Sequence, residues 1–182
     1  MSAEFTKLHS LLKRAHHALY NAYSHFLVWD SMKRLMAGNI VGNDEASKNV
    51  ETINDFKNFF LPSLEANRKV FAIELARIFD LDKRALSLQK IINYTRSNKK
   101  KLKVDDFKEF NIGRNSLDSL ITGYNGITED LLKQCEKKLL EINDKVKKLK
   151  KFRNTRLAHD QIAATDTVLS VEEAEDLLDR DE

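Results

Sequence analysis

Glycine and proline are scarce in this chain, and that scarcity limits its possible folds more than any other sequence feature. Five glycines and one proline occur in 182 residues. These two residues supply many tight turns and mark the ends of strands, so a sheet-rich fold of this length would need more of them. The sequence therefore predicts an all-α fold of long helices, without a sheet.

The N-terminal segment has the spacing of a helix that packs against other helices. Its apolar residues are alternately three and four apart, which places them on one face. They are Phe5, Leu8, Leu12, Ala15, Leu19, Ala22, Phe26 and Trp29. Ser2 is predicted to cap the start of this helix, and Gly38 with Gly42 to end it.

The middle of the chain is predicted to contain three further helices. The first covers residues 45–60, with Ile53, Phe56 and Phe60 directed inward. Pro62 either starts the second helix, which runs over residues 64–79, or kinks a longer one.

The third of these helices is predicted to be capped by Asp80 or Asp82 and to run through Ile92. The polar, basic stretch at 97–106 is predicted to be a loop. Asn115 with Asp118 resembles a capping box for a short helix.

A late helix is predicted to begin at Thr128, because acidic residues follow where the helix dipole favours them. Its inward residues are Leu132, Cys135, Leu139, Ile142, Val146 and Leu149. Cys135 is therefore interpreted as a small buried residue. Ser170 with Glu173 forms a capping box for a last helix, which stops after three turns in a charge cluster and is compatible with a truncated C-terminus.

Together these elements predict an up-and-down bundle of long antiparallel helices, formed by one domain over residues 1–182. A single cysteine excludes an internal disulfide and does not indicate an oxidising compartment. The N-terminus lacks the continuous apolar run of a secretory signal, and no run approaches the ~20 residues that span a bilayer. The sequence thus predicts a cytoplasmic protein without membrane contact.

Charge is distributed unevenly near the C-terminus. Residues 133–156 contain ten Lys and Arg against three Asp and Glu, whereas residues 160–182 contain nine Asp and Glu against one Arg. A basic segment beside an acidic one can bind a polyanion or pair with itself, and the charge pattern alone does not decide between them.

Eight residues at 153–160, RNTRLAHD, interrupt the apolar face of the late helix. Continued from Leu149, that face would place Arg153 and then Arg156 where apolar residues had been. A buried guanidinium costs several kcal/mol unless it is paired. The helix must therefore bend here, or this face must leave the core and line a groove or a second subunit.

Arg153 and His159 combine the chemical groups that RNA cleavage by its own 2′-OH requires. A His with a pKa near ~6.5 exchanges protons at neutral pH, and Arg holds a permanent charge that matches a phosphate. On an ideal helix the two side chains are roughly 120° apart. One chain alone need not bring them together, whereas two chains across a two-fold axis could.

The stretch 153–160 resembles the signature of the HEPN superfamily, in which an Arg followed by a polar residue precedes a His at this spacing. Arg153, Asn154 and His159 fit that pattern. The wider chain, from about Leu8 to Asp160, resembles the AbiU-like abortive-infection branch. It shares a long first helix, the stretch NDFKNFFLPSLEANRKVFAIELARIFD and a Ser-Leu helix start at Ser87-Leu88.

The resemblance implies a HEPN-type helical bundle with metal-independent endoribonuclease activity, acting in a defence or toxin–antitoxin system. No cofactor or metal is expected. The implied partners are RNA, a second copy of the chain that completes the site, and a cognate antitoxin protein. His159 would act as general base or acid, Arg153 would hold the phosphate, and Asn154 would orient or bind it.

The basic residues before and within this stretch are candidates for holding the RNA backbone by a salt-sensitive attraction that is independent of sequence. They are Lys147, Lys148, Lys150, Lys151 and Arg156. A solvated helix face is an equally good interpretation of these residues.

Other interpretations of the motif remain open at this stage. Arg153 and His159 are also favoured at a helix C-terminus by the helix dipole, without any chemistry. A HEPN-fold module could bind RNA or protein without catalysis. A purely structural bundle would require a monomer with His159 buried. The other histidines, His9, His16, His17 and His25, have no acidic or Cys partner at ligand spacing, so a surface or packing role is predicted.

Overall fold

The computed structural model describes residues 2–80, 86–111 and 126–154, and all regular structure in these residues is helical. The helices are α1 (Ala3–Leu35), α2 (Gly38–Val41), α3 (Asn43–Asp55), α4 (Lys57–Ile78), α5 (Leu88–Asn98), a 3-10 turn (Lys99–Lys101), α6 (Val104–Asn111), α7 (Glu129–Glu141) and α8 (Asn143–Phe152). The predicted all-α fold class is confirmed.

Helix α1 begins at the predicted cap, because the Ser2 hydroxyl oxygen accepts a hydrogen bond from the Phe5 amide at 3.3 Å. It ends at Leu35, and Gly38 opens the single turn of α2. Gly42 follows with φ of 90°, a conformation that side chains with a Cβ avoid. The predicted break between the first two long helices is therefore present.

The predicted inward face of α1 is correct at six of its eight positions and wrong at Leu12, which is 49% exposed. Leu11 packs against the buried cluster instead. Ala18 is buried, and Leu19 is only half-buried. The packed face therefore keeps steps of three and four residues, but it passes through Leu11 and Ala18, each one residue before the predicted position.

The predicted helix over 45–60 is wrong, because α3 ends at Asp55 and α4 begins at Lys57. Phe56 leaves the helical conformation, with φ of −109° and ψ of 31°, and its side chain is 62% exposed rather than inward. Pro62 lies inside α4 and does not start it. A proline there removes one backbone hydrogen bond, and the Ser63 hydroxyl donates to the neighbouring Phe59 carbonyl at 2.7 Å.

Helix α5 starts later than predicted, at the Ser-Leu pair. The Ser87 hydroxyl accepts from the Lys90 amide at 3.2 Å, so Ser87 is the N-cap and Asp80 is not. The predicted loop at 97–106 is also wrong, since α5, the 3-10 turn and α6 occupy most of it. Asp82 and the two predicted capping boxes at Asn115 and Ser170 lie outside the described residues.

The late helix begins as predicted, with the Thr128 hydroxyl accepting from the Leu131 amide at 3.1 Å. It is divided at Ile142 into α7 and α8. Cys135 is exposed, which contradicts the prediction that it is buried. The ion pair between Glu136 and Arg96 of α5 turns Glu136 toward the protein, so Cys135 falls at the edge of the packed face.

The described residues cluster into two compact units, and α1 contributes to both. The first contains residues up to His17 and Ile78–Asn143, and the second contains Ala18–Arg77 and residues 144–154. The prediction of one domain over residues 1–182 remains a prediction. Within the described ranges, no helix is both long and apolar enough to cross a membrane.

The first unit is built around a buried cluster from the start of α1 and the later helices. Its members are Phe5, Leu8, Ala15, Leu86, Ile91 and Leu102. The Tyr94 hydroxyl ties α5 to α1 by donating to the Glu4 carbonyl at 3.2 Å. The second unit has an aromatic core, in which the Phe71 ring of α4 lies 5.4 Å from Phe26 and 6.4 Å from Trp29.

Candidate functional site

Helix α8 carries the candidate site at its C-terminal end and is fixed by one apolar stripe. Val146, Leu149 and Phe152 are three residues apart and all buried, and Leu149 has no exposed surface. A stripe of this spacing buries one side of the helix in the core of the second unit. The lysines between these residues are consequently directed away from the core.

Phe152 occupies the buried position that the sequence pattern assigned to Arg153. Arg153 is only half-buried and Asn154 is exposed, and both residues lie in a π-helical turn. The apolar stripe therefore passes through Phe152 and not through Arg153, and whether the helix bends here or this face leaves the core stays a prediction. Such widened turns are rare and occur frequently at functional sites.

Arg153 and Asn154 are joined by a side-chain hydrogen bond. The Arg153 Nε–H group donates to Asn154 Oδ1 at 3.1 Å. An Asn side chain that accepts from Nε limits the rotation of the guanidinium plane about its long stem. This contact brings together two of the three residues that the motif indicated.

Arg68 of α4 packs against the C-terminal end of α8. Its guanidinium carbon lies 4.8 Å from the centroid of the Phe152 ring, which is the geometry of a cation–π contact. Its Nη1 atom is 3.8 Å from a Glu65 carboxylate oxygen. The sequence did not indicate Arg68, because no pattern relates residues so far apart in the chain.

The four candidate RNA-binding lysines of α8 lie at or near its surface. Lys147, Lys148 and Lys151 are exposed, and Lys150 is half-buried. Lys147 Nζ forms an ion pair with Asp144 Oδ1 at 2.8 Å, and this hydrogen bond lowers the pKa of the Asp144 carboxyl. Lys147 therefore has a local acidic partner, so its charge is partly compensated before any RNA is bound.

His159 and Arg156 lie outside the described residues, so the Arg153–His159 arrangement stays a prediction. In the described part of the chain, no three His, Cys, Asp or Glu side chains are grouped so that they could hold a metal ion. His25 is half-buried, and its Nδ1 atom lies 2.7 Å from Asn67 Oδ1 of α4, within hydrogen-bond distance.

A model of a known protein family matches almost the whole chain. The family model HEPN_AbiU2, described as AbiU2, matches residues 5–180. The chain belongs to the AbiU2 family of HEPN domains. The resemblance drawn from Arg153, Asn154 and His159 is thus confirmed at the level of the family.

For this AbiU2 protein, neither a search of curated proteins nor a search of solved structures gave a match. The family match extends over both compact units and includes the whole stretch 153–160. Membership of the family does not by itself assign a chemical role to Arg153.

Proposed function

We propose that this AbiU2 protein is a metal-independent endoribonuclease of a defence or toxin–antitoxin system, acting in the cytoplasm. RNA is cleaved by attack of its own 2′-OH, at a site that two copies of the chain complete. The observation that carries the proposal is the Arg153 side chain, held through Nε by Asn154 in a π-helical turn directly after the buried Phe152.

The order of residues at this turn suits phosphate recognition. Phe152 anchors the backbone, and the hydrogen bond from Arg153 Nε to Asn154 Oδ1 restricts the guanidinium. An Arg whose orientation is already restricted loses less entropy when it binds a phosphate than an unrestrained side chain does. Positive charge fixed on the non-bridging oxygens stabilises the extra negative charge of the transition state.

His159 supplies the proton transfer in this proposal, as general base or general acid. Five residues separate it from Arg153 in the sequence. Because ideal helical geometry would place the two side chains on different faces, we propose that the site combines residues of two chains related by a two-fold axis. A cognate antitoxin protein would act as a further partner that silences the site.

The RNA backbone is bound, in our proposal, by Lys147, Lys148, Lys150 and Lys151 together with Arg156. Neutralising phosphates releases counterions, so this attraction weakens as salt increases and does not depend on base sequence. The Asp144 pair reduces the expected share of Lys147 in that attraction.

The second candidate function is a HEPN-fold module that binds RNA or protein without cleaving it. The exposed lysines of α8 favour it, because they can bind a polyanion whatever the role of Arg153. The two functions differ in what Arg153 does after binding has occurred.

The rate of single-turnover RNA cleavage with saturating protein distinguishes the two candidate functions, because binding then no longer limits the rate. Arg153→Ala and Arg153→Lys are compared with Arg14→Ala, an exposed arginine of α1. If the protein is a ribonuclease, Arg153→Ala should lower the cleavage rate by roughly 10²-fold or more. Arg153→Lys should restore the rate only in part, because Lys lacks the guanidinium fork. RNA that is bound by every variant and cut by none would support the binding module.

A further inference from the structure

Helix α4 has an apolar stripe on the side that faces away from the core of the second unit. Its buried side, which includes Phe71 and Leu75, packs into that core. On the opposite side, five apolar residues follow one another at steps of three and four, and they are Phe59, Pro62, Ala66, Val70 and Ile73. Only Val70 of these is half-buried; the others are exposed, Phe59 by 67% and Ile73 by 41%. We call these five residues the outer stripe.

The outer stripe differs from the usual solvent-facing side of a helix. An amphipathic helix ordinarily presents charged and polar residues on the side opposite the core. Residues three and four apart are neighbours on a helix, so the five side chains form one continuous surface, about 21 Å long at ~1.5 Å per residue. Single exposed apolar residues are normal, whereas a continuous apolar surface marks an interaction site. The outer stripe therefore has the character of a helix face that packs against another protein surface.

The order of residues in the outer stripe is symmetric about Ala66. Pro62 and Val70 each lie four residues from Ala66, and Phe59 and Ile73 each lie seven residues from it. When two copies of α4 lie antiparallel about a two-fold axis at Ala66, Phe59 of each copy meets Ile73 of the other, and Pro62 meets Val70. The small alanine at the centre lets the two helix axes approach closely where they cross.

The charged residues at one edge of the outer stripe favour this antiparallel arrangement. Glu65 and Lys69 form an ion pair at 3.5 Å, and both side chains are 40% exposed. Glu65 lies one residue before Ala66, and Lys69 lies three residues after it. In the antiparallel pair, Lys69 of one copy is therefore within about 3 Å, along the helix axis, of the level of Glu65 of the other copy. A parallel pair would instead place each charge beside its own equivalent, which is repulsive.

We propose that the outer stripe is a homodimer interface, in which α4 of one chain packs antiparallel against α4 of a second copy with Ala66 at the two-fold axis. The inference goes beyond the proposed function, because this interface is separate from the candidate site. Arg68, which contacts Phe152, lies two residues after Ala66 and on an ideal helix is directed about 160° away from it. Together with the two-chain site proposed above, the chain would have two separate self-contacts and would assemble beyond a dimer.

Disulfide cross-linking of the full chain tests the position of the axis. A Cys135→Ser background removes the exposed native thiol. Two cysteines form a disulfide when their Cα atoms are about 4.4–6.8 Å apart, so Ala66→Cys at the proposed axis should oxidise to a covalent dimer. Phe59→Cys is the matched control on the same stripe, because the two copies of residue 59 would be about 21 Å apart. Leu140→Cys, at an exposed position of α7, measures cross-linking by random collision.

We expect Ala66→Cys to cross-link at least roughly tenfold faster than either control. Equal rates for Ala66→Cys and Leu140→Cys would overturn the interface. A rate for Phe59→Cys that equals the rate for Ala66→Cys and exceeds that for Leu140→Cys would overturn the antiparallel arrangement.

Sedimentation equilibrium of the full chain gives a second readout without a covalent bond. Ala66→Glu places two carboxylates beside each other at the axis, so it should raise the dissociation constant of this contact at least roughly 10²-fold and lower the mass of the assembly toward half. Leu140→Glu is the control and should keep the wild-type mass, and melting curves establish that both variants are folded. A wild-type mass for Ala66→Glu overturns the α4 interface alone, whereas a wild type that stays monomeric at about 100 µM overturns it together with the two-chain site.

Discussion

The Arg68 guanidinium lies 4.8 Å from the centroid of the Phe152 ring, so α4 holds the residue that immediately precedes Arg153. Phe152 is 2% exposed, and the Arg68 guanidinium that packs on it also lies close to a Glu65 carboxylate, at 3.8 Å. The position of the candidate site therefore depends on packing within the second unit as much as on the motif.

Phe152→Ala should destabilise the second unit by about 3–5 kcal/mol, because it removes a fully packed aromatic side chain. Arg68→Met should cost about 0.5–2 kcal/mol, since it keeps most of the volume and loses the cation–π contact. Fluorescence of Trp29, the one tryptophan, reports unfolding of this unit in urea. Phe56→Ala, at an exposed ring, is the control and should change stability by less than about 0.5 kcal/mol. Equal effects of Phe152→Ala and Phe56→Ala would contradict the packing described here.

In the first unit, stability should depend on pH through Glu136. Its two carboxylate oxygens accept from Arg96 Nη1 and Nη2 at 2.6 and 2.8 Å, and these hydrogen bonds hold the pKa of Glu136 below its usual 4.5. A carboxyl whose pKa is lower in the folded state stabilises the fold above pH 4.5, and this stabilisation is lost as the pH falls through the folded-state pKa.

Glu136→Gln should therefore lower the melting temperature at pH 7, and the difference from the wild type should shrink toward zero as the pH falls below 4.5. Melting curves followed by circular dichroism between pH 7 and pH 3 measure it. Glu141→Gln is the control, because the exposed Lys137–Glu141 pair at 3.7 Å should contribute little. A difference that stays constant over this range would show that Glu136 acts by packing and not by charge.

Much of the fold followed from local signals in the sequence, and the misplaced elements depend on contacts between distant residues. The caps at Ser2 and Thr128 and the glycine break at Gly42 are local, and each was predicted correctly. On α7 the prediction is correct at the buried Leu132 and wrong at Cys135, which is exposed while Arg96 of another helix pairs with the neighbouring Glu136.

The candidate site shows the same division. Arg153 and Asn154 could be identified because their order along the chain is the motif itself, and the arginine on the apolar face indicated a change in the helix. Arg68 could not, because its contact with Phe152 arises from α4 packing against α8. Nothing in the spacing of α4 distinguishes Arg68 from the other polar side chains of this helix.

Exchange of Lys148 and Lys151 for Gln should weaken RNA binding and flatten its dependence on salt. Each phosphate contact to single-stranded RNA contributes about 0.7 to the slope of log affinity against log salt, so the double variant should lose up to about 1.4. Fluorescence anisotropy with a labelled RNA over a series of NaCl concentrations measures this slope. Lys133→Gln with Lys137→Gln removes the same charge from exposed positions on α7 and should leave the slope unchanged. Equal slopes for the two double variants would indicate that Lys148 and Lys151 do not contact the RNA phosphates.

A composite site makes a specific prediction for mixed dimers. If Arg153 of one chain works with His159 of the other, then a dimer of one Arg153→Ala chain and one His159→Ala chain retains one intact site. Random mixing of the two inactive variants should then recover about a quarter of wild-type cleavage. Subunit exchange at equal concentrations, followed by the cleavage assay, measures the recovery. No recovery, with exchange verified by mass spectrometry, would place both residues of each site on one chain.

The central claim is tested most directly by cleavage of an end-labelled RNA pool in excess EDTA. Wild type is assayed beside Arg153→Ala and His159→Ala, with Arg14→Ala and His16→Ala as controls at exposed positions. We predict cutting that survives chelation, leaves 2′,3′-cyclic phosphate ends, persists in both controls and falls by at least roughly 10²-fold in both motif variants. Cleavage abolished by EDTA, or equal activity in the wild type and both motif variants, would contradict it.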